Sequence, residues 1–149
     1  MPALITTELV DLDVPSADRR TAVAALARRL ADAGRVTDLD RFLADVEARE
    51  VRMPTGLEGG IGIPHCRSAT VTTASLAFGR SASGIDFGAE DGPADLVFLL
   101  AVPAEGDPDH LGVLAALARR LVRASFTSTL REATAPAAAA TFIEEQMTS

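Results

Sequence analysis

The chain has 149 residues, a formal net charge of −7 and an apolar fraction of 48 %, yet only 4 % of its residues are aromatic. This length suits one ordinary domain with a single core of small aliphatic residues. All fourteen basic residues are Arg, which excludes mechanisms that depend on a lysine amine, and no basic patch is present to bind nucleic acid.

The first third of the chain predicts two amphipathic helices after a short extended segment. The extended segment lies around Leu9–Leu12. Apolar residues recur at helical spacing from Asp18 to Ala33, with Ser16 as a candidate cap and Gly34 where the helix would end. The same spacing predicts a second helix from Asp38 to Glu50.

The middle of the chain is rich in glycine and then in β-branched residues. Residues 53–66, MPTGLEGGIGIPHC, predict a loop with a short extended piece at Ile61–Ile63, because glycines destabilise helix interiors. Residues 70–79 are typical of a strand. Ser83-Gly84 indicates a turn, and the alternation at residues 85–87 predicts a short edge strand.

The last third contains the most apolar run and then a series of helices. Asp95 to Pro103 predicts a central strand buried on both faces. A long helix is expected from His110 to Ala124 with Asp109 as its cap, and two shorter helices follow at residues 126–133 and 136–147.

These elements predict one α/β domain over residues 1–149, with a small mixed β-sheet between helices. The single cysteine, Cys66, cannot form an internal disulfide, which favours a reducing compartment. No signal peptide is expected, and no apolar run approaches the roughly 20 residues that a membrane span needs. The expected location is the cytoplasm, without direct insertion into a membrane.

The two histidines mark the candidate site. His65 follows Pro64 at the end of the glycine-rich loop, and His110 opens a helix after the central strand. Ligands of α/β proteins collect at strand ends and helix N-termini, so the two imidazoles could share one site. Arg49 and Arg67 are the nearby cations that could offset charge on a bound anion, although Arg67 is expected to face solvent.

This arrangement suits the chemistry of phosphoryl transfer. A neutral imidazole is a good nucleophile near neutral pH, provided that a hydrogen bond to its second nitrogen selects one tautomer. Pro64 stiffens the backbone before His65, and glycines let backbone N–H groups approach phosphoryl oxygens.

Residues 49–66, REVRMPTGLEGGIGIPHC, resemble the active-site signature of phosphotransferase-system IIA domains of the fructose, mannitol and nitrogen-regulatory type. Two positions depart from it, Glu58 where Gly or Ala is usual and Gly62 where Ala is usual. The residues that match the signature are Glu50, Leu57, Ile61, Ile63, Pro64, His65 and Cys66.

The resemblance implies a phosphotransferase with the mixed sheet and helices of this family over nearly the whole chain. His65 would be phosphorylated by the phosphocarrier protein HPr, and the group would pass to a cysteine of a IIB domain. That domain phosphorylates a sugar, with fructose favoured, which enters through a IIC membrane domain. Arg49 and His110 match the family positions that support the phosphohistidine. Neither a cofactor nor a metal is implied.

Two other functions stay open. A nitrogen-type regulatory module would use phosphorylation of His65 to switch protein partners. A metal- or cysteine-dependent hydrolase would use His65, Cys66 and His110. Adjacent residues of an extended segment point to opposite faces, so Cys66 should turn away from whatever His65 addresses. The usual spacing of zinc ligands is also absent, and a buried thiol is the prediction for Cys66.

Overall fold

The computed structural model of the chain describes residues 3–14, 18–104 and 110–148, and at residues 110 and 111 it describes the backbone alone. The two longest of its helices have 14 residues, and no helix in these ranges is long and apolar enough to cross a membrane. The helices are α1 (Arg19–Asp32), α2 (Leu39–Arg52), α3 (His110–Leu121), α4 (Ala124–Glu132) and α5 (Pro136–Thr148).

The strands form one mixed sheet with β6 at its centre. Strand β5 pairs with β6 in the antiparallel sense, whereas β3 and β4 pair with different parts of the other edge of β6 in the parallel sense. Strand β1 extends the sheet beyond β5, and β2 extends it beyond β3. The strands are β1 (Val10–Asp11), β2 (Gly56–Leu57), β3 (Ile61–Gly62), β4 (His65–Ser68), β5 (Ser75–Ile85) and β6 (Ala94–Pro103).

Helices cover both faces of this sheet. Phe78 of β5 and Phe98 of β6 are register partners with ring centroids 5.0 Å apart, and Phe126 of α4 stacks on Phe98 from above. On the opposite face, Gly79 of β5 lies directly against Leu26 of α1. Because both faces are covered, β6 is apolar throughout the part that follows Asp95, as the sequence predicted. The predicted α/β fold, a mixed sheet between helices, is confirmed.

The predicted helices all form, with ends shifted by up to three residues. Asp38 caps α2, because its carboxylate accepts a hydrogen bond from the Arg41 backbone N–H at 3.1 Å. Asp18 caps α1 in the same way, by accepting from the Arg20 N–H at 2.9 Å. The predicted caps Ser16 and Asp109 lie outside the described residues.

The prediction of strands after the site was partly wrong. Strand β5 begins at Ser75 and not at residue 70, because the β-branched residues before it form a turn in which Thr70 N–H donates to the Ser68 hydroxyl. The Ser83-Gly84 turn signal lies inside β5, where the register with β6 shifts. The expected edge strand at residues 85–87 does not form. Ile85 ends β5 opposite Ala94.

Candidate active site

The glycine-rich segment is a tight β-hairpin that leads into His65. Strands β2 and β3 pair in the antiparallel sense, and the turn between them contains Gly59 and Gly60 at φ angles of +90° and +78°. A β-carbon at Gly60 would lie 2.5 Å from Asp95 Oδ1, so only glycine fits at this position. The sequence predicted a loop here and missed β2, which has two residues.

A guanidinium from the far end of the chain holds this hairpin against β6. Arg131 of α4 donates to both carboxylate oxygens of Asp95, at 2.8 and 2.9 Å, and also to the Gly59 carbonyl. The hydrogen bond to Asp95 raises the pKa of Arg131 further above its usual value. The Gly59 N–H in turn donates to Asp91 at 2.9 Å. The hairpin tip is therefore fixed at Gly59 by two hydrogen bonds, one from Arg131 and one to Asp91.

The structure explains why glycine stands at position 62. A β-carbon at Gly62 would lie 2.5 Å from the Phe87 ring, which is 1 % exposed and packed beneath the hairpin. The alanine that is usual in the signature would collide with this ring. Glu58, the other departure, lies at the exposed turn, where a longer side chain has room.

The imidazole of His65 is held in one tautomer at the start of β4. Its Nδ1 lies 2.8 Å from the Ile63 carbonyl oxygen, which can only accept, so Nδ1 carries the proton when the ring is neutral. The ring is half-buried. Its Nε2 therefore presents a lone pair, which is the nucleophilic position of a neutral imidazole. The Leu100 N–H donates to the Pro64 carbonyl at 3.0 Å and fixes this segment beside β6.

Cys66 faces the opposite way, as predicted. Its side chain is buried at 6 % exposure, and burial, together with the Asp45 carboxylate, raises the pKa of the thiol to about 12. Such a thiol is protonated at neutral pH and is a poor nucleophile or metal ligand. Among the side chains that the structure describes, no three His, Cys, Asp or Glu residues cluster as a metal site would require.

Arg49 lies near β4 but is engaged elsewhere. Its Nη1 donates to the Met53 carbonyl at 3.0 Å, at the end of α2. The side chain is half-buried and lines a groove of about 440 Å³ together with Arg67 and Cys66. In the described part of the chain, no hydrogen bond joins Arg49 to His65. Its contribution to the site stays a prediction.

His110 is placed by its backbone alone. It is the first residue of α3, the first helix after the central strand β6, and nothing is described of its side chain. Strands β4 and β6 are parallel and in register, so their carboxyl ends lie at the same edge of the sheet. His65 is the first residue of β4, opposite Leu100 of β6, whereas α3 follows the carboxyl end of β6 in sequence. The role of His110 stays a prediction.

Glu50 was recognised only as a signature position, and the structure gives it specific partners. Its side chain is 2 % exposed, and its two oxygens accept from the Thr55 N–H and the Thr55 hydroxyl, each at 2.7 Å. An acidic residue at a helix C-terminus opposes the helix dipole, and this unfavourable position is the sequence signal that could have indicated a specific role for Glu50.

Comparisons with known proteins identify the family. The profile described as "Phosphoenolpyruvate-dependent sugar phosphotransferase system, EIIA 2" matches residues 3–146. A Haloferax volcanii protein named "PTS system fructose-specific EIIA component" is 44 % identical over 127 residues, which cover 85 % of this chain and 82 % of that protein.

Two solved structures share the fold. The nitrogen regulatory protein IIA-Ntr from Neisseria meningitidis superposes with a TM-score of 0.83 at 26 % identity, over 97 % of this chain and 96 % of that one. Enzyme IIAMtl of Escherichia coli, in a complex with phosphorylated enzyme IIBMtl, gives 0.74 at 22 % identity, over 95 % and 94 % of the two chains.

The chain therefore belongs to the EIIA type-2 family of the sugar phosphotransferase system. Members of this family are phosphotransferase components that relay phosphoryl groups, and the chain is a phosphoryl carrier of this kind.

Proposed function

We propose that His65 Nε2 accepts a phosphoryl group from phospho-HPr and passes it to a cysteine of a IIB domain during sugar uptake. The observation that carries this assignment is the hydrogen bond between His65 Nδ1 and the Ile63 carbonyl. It leaves Nε2 as the free nitrogen of a half-buried ring at a strand end. The sugar is proposed to be fructose, on the name of the Haloferax relative, and the setting is proposed to be the cytoplasm.

The transfer is balanced without a cofactor. The Nε2 lone pair of His65 attacks phosphorus, and the N–P bond of the donor phosphohistidine breaks as its imidazole leaves with the electron pair. In the second step a thiolate of IIB attacks the same phosphorus, and the His65 imidazole leaves in its neutral form. The proton stays on Nδ1 in both steps and is donated to the Ile63 carbonyl in a hydrogen bond, so one tautomer serves both steps.

Arg49 and His110 are proposed as supporting residues. A phosphoryl group on Nε2 brings two negative charges to a chain that is already acidic, so cations and donors nearby would stabilise the phosphorylated form. Arg49 would have to exchange its bond with the Met53 carbonyl for a phosphoryl oxygen.

The test is phosphoryl transfer from labelled phosphoenolpyruvate through enzyme I and HPr. The wild-type chain should gain one acid-labile phosphoryl group, and His65→Ala should gain none. The matched control is Cys66→Ala, which changes the neighbouring residue and should be labelled like wild type. Labelling of His65→Ala to the wild-type extent would refute the assignment. His110→Ala and Arg49→Gln should both be labelled, about tenfold or more slowly.

A regulatory role is the second candidate, and the similarity to IIA-Ntr favours it. In that case phosphorylation of His65 would change which protein the chain binds, and no sugar would be consumed. Adding a fructose-type IIB domain with its IIC partner to the labelled chain separates the two roles. Loss of label to the IIB cysteine with formation of sugar phosphate supports transport. Retention of the label on the chain supports regulation.

A further inference from the structure

Glu50 occupies a position that elementary electrostatics disfavours. It lies in the last turn of α2, where the helix carbonyls already concentrate negative charge, and it is buried at 2 % exposure. No ion pair with Glu50 is present among the described residues. A buried acid at this position requires strong hydrogen bonds to be retained.

Thr55 supplies those hydrogen bonds. Its backbone N–H donates to one carboxylate oxygen of Glu50 and its hydroxyl donates to the other, both at 2.7 Å. Thr55 is itself buried, at 8 % exposure, and it directly precedes strand β2. The carboxylate therefore fixes the position where the β-hairpin leaves helix α2.

The same hairpin connects Thr55 with His65 through hydrogen bonds of the backbone. The Thr55 carbonyl accepts from the Ile63 N–H at 3.2 Å, as the last bond of the β2–β3 ladder. The Ile63 carbonyl then accepts from His65 Nδ1 at 2.8 Å. Both backbone polar groups of Ile63 are therefore hydrogen-bonded, the N–H to Thr55 and the carbonyl to the imidazole of His65.

We propose that Glu50 is a positioning residue for His65: through Thr55 and Ile63 it holds the carbonyl that keeps the proton on Nδ1 and leaves Nε2 free. The proposal rests on the proposed function for its kinetic consequence. Its structural consequence, the tautomer of one imidazole, does not depend on any phosphoryl donor.

Variants at positions 50 and 55 differ in the hydrogen bonds that their side chains can form. Glu50→Leu has a similar volume and accepts nothing, so both donors of Thr55 lose their partner. Glu50→Gln can accept from the Thr55 N–H and donate to the Thr55 hydroxyl, because a hydroxyl can also accept. This variant should therefore keep the wild-type tautomer of His65 and the wild-type transfer rate. Thr55→Val removes only the hydroxyl, so its effect on the tautomer and on the rate should lie between those of Glu50→Leu and Glu50→Gln. The control is Asp45→Asn, because Asp45 lies on the same helix and accepts from the Ser68 hydroxyl at 2.7 Å, on the side of Cys66.

The first measurement is nitrogen NMR of the histidine side chains at a pH above the pKa of imidazole. The chain has two histidines, and His65→Gln assigns the signals. Wild type, Glu50→Gln and Asp45→Asn should show the tautomer with a proton on Nδ1 of His65. Glu50→Leu should show a mixture of both tautomers. A wild-type tautomer in folded Glu50→Leu would overturn the proposal.

The second measurement is the rate of phosphorylation at varied concentrations of phospho-HPr. Glu50→Leu should lower the maximal rate by about tenfold or more with little change in the half-saturating donor concentration, since the donor surface is intact. Asp45→Asn should leave both unchanged, and an equal loss in Asp45→Asn would reduce Glu50 to a general structural role and overturn the proposal.

The role of Glu50 can still be tested if Glu50→Leu does not fold or if wild type is not phosphorylated. If Glu50→Leu does not fold, Thr55→Val supplies both measurements, and a wild-type tautomer and rate in that variant would also overturn the proposal. If wild type accepts no phosphoryl group, the proposed function fails while the tautomer series still decides the role of Glu50.

Discussion

The two faces of strand β4 place neighbouring residues in opposite chemical environments. His65 and Arg67 face outward, and His65 presents an unprotonated Nε2 at a half-buried position. Cys66 and Ser68 face inward toward α2, where the thiol is buried and the hydroxyl is bonded to Asp45. Both Cys and His side chains are potential nucleophiles. The difference shows that the period of a strand, and not residue type alone, decides which of them can react.

The largest expected effect is on the reactivity of the thiol. With its pKa raised from 9.0 to about 12, Cys66 has about a thousandfold less thiolate near pH 8 than an ordinary cysteine. Alkylation by iodoacetamide should therefore be slower by about that factor or more in the folded chain than in urea. Rapid alkylation of the folded chain would show that Cys66 is accessible on the same face of β4 as His65, which would contradict the difference between the two faces.

The second effect is on stability at alkaline pH. The folded state keeps the Cys66 proton up to a pKa of about 12, whereas the unfolded state releases it near 9.0. Since the unfolded state then binds fewer protons, stability should fall from pH 9 upward, by about 2 to 3 kcal/mol near pH 11. The chain has no Tyr and no Lys, so few other groups titrate in this range.

Urea unfolding at a series of pH values measures this loss, and Cys66→Ala is the control. The variant will have a lower stability at neutral pH because a small cavity remains. Its stability should nevertheless be nearly constant between pH 9 and 11, in contrast to wild type. The same slope in both proteins would mean that the thiol is not the group responsible.

The third effect contrasts two polar residues of the same strand. Ser68 is 2 % exposed and its hydroxyl bonds Asp45, the Thr70 hydroxyl and the Thr70 N–H. Ser68→Ala should lower the free energy of unfolding by about 1 to 2 kcal/mol, because the Thr70 donor is left buried without a partner. Phosphoryl transfer should continue, since these contacts lie on the inward face.

Arg67→Ala is the smallest change and tests the outward face. Arg67 is exposed and has no ion pair within the described ranges, so its loss should change stability by no more than about 0.5 kcal/mol. Thermal unfolding of both variants gives the comparison. A larger loss in Arg67→Ala than in Ser68→Ala would reverse the assignment of the two faces.

The elements that the sequence predicted well are those whose signal is local and long. The apolar residues that follow Asp95 in β6 indicate the burial of this strand directly, because a strand covered on both faces is apolar on both sides. Helical periodicity located α1 and α2, whereas the capping roles of Asp18 and Asp38 were seen only in the structure. The period of two predicted that Cys66 would turn away from the side that His65 faces.

The failures concern short strands and one turn. Strand β2 has two residues, too few to show a period, and it forms because it pairs with β3. The residues before Ser75 have β-branched side chains that favour a strand. The Ser68 hydroxyl captures the Thr70 N–H instead, and the segment turns.

The sequence by itself determined the class of fold, the family signature and His65 as the candidate nucleophile, since each depends on residue types at fixed local spacing. Tertiary structure alone decided which nitrogen of that imidazole carries the proton, why Gly62 must lack a side chain next to Phe87, and how Glu50 reaches the site through Thr55. These features depend on contacts of a few ångströms between segments that only the folded chain brings together, and no local pattern encodes such distances.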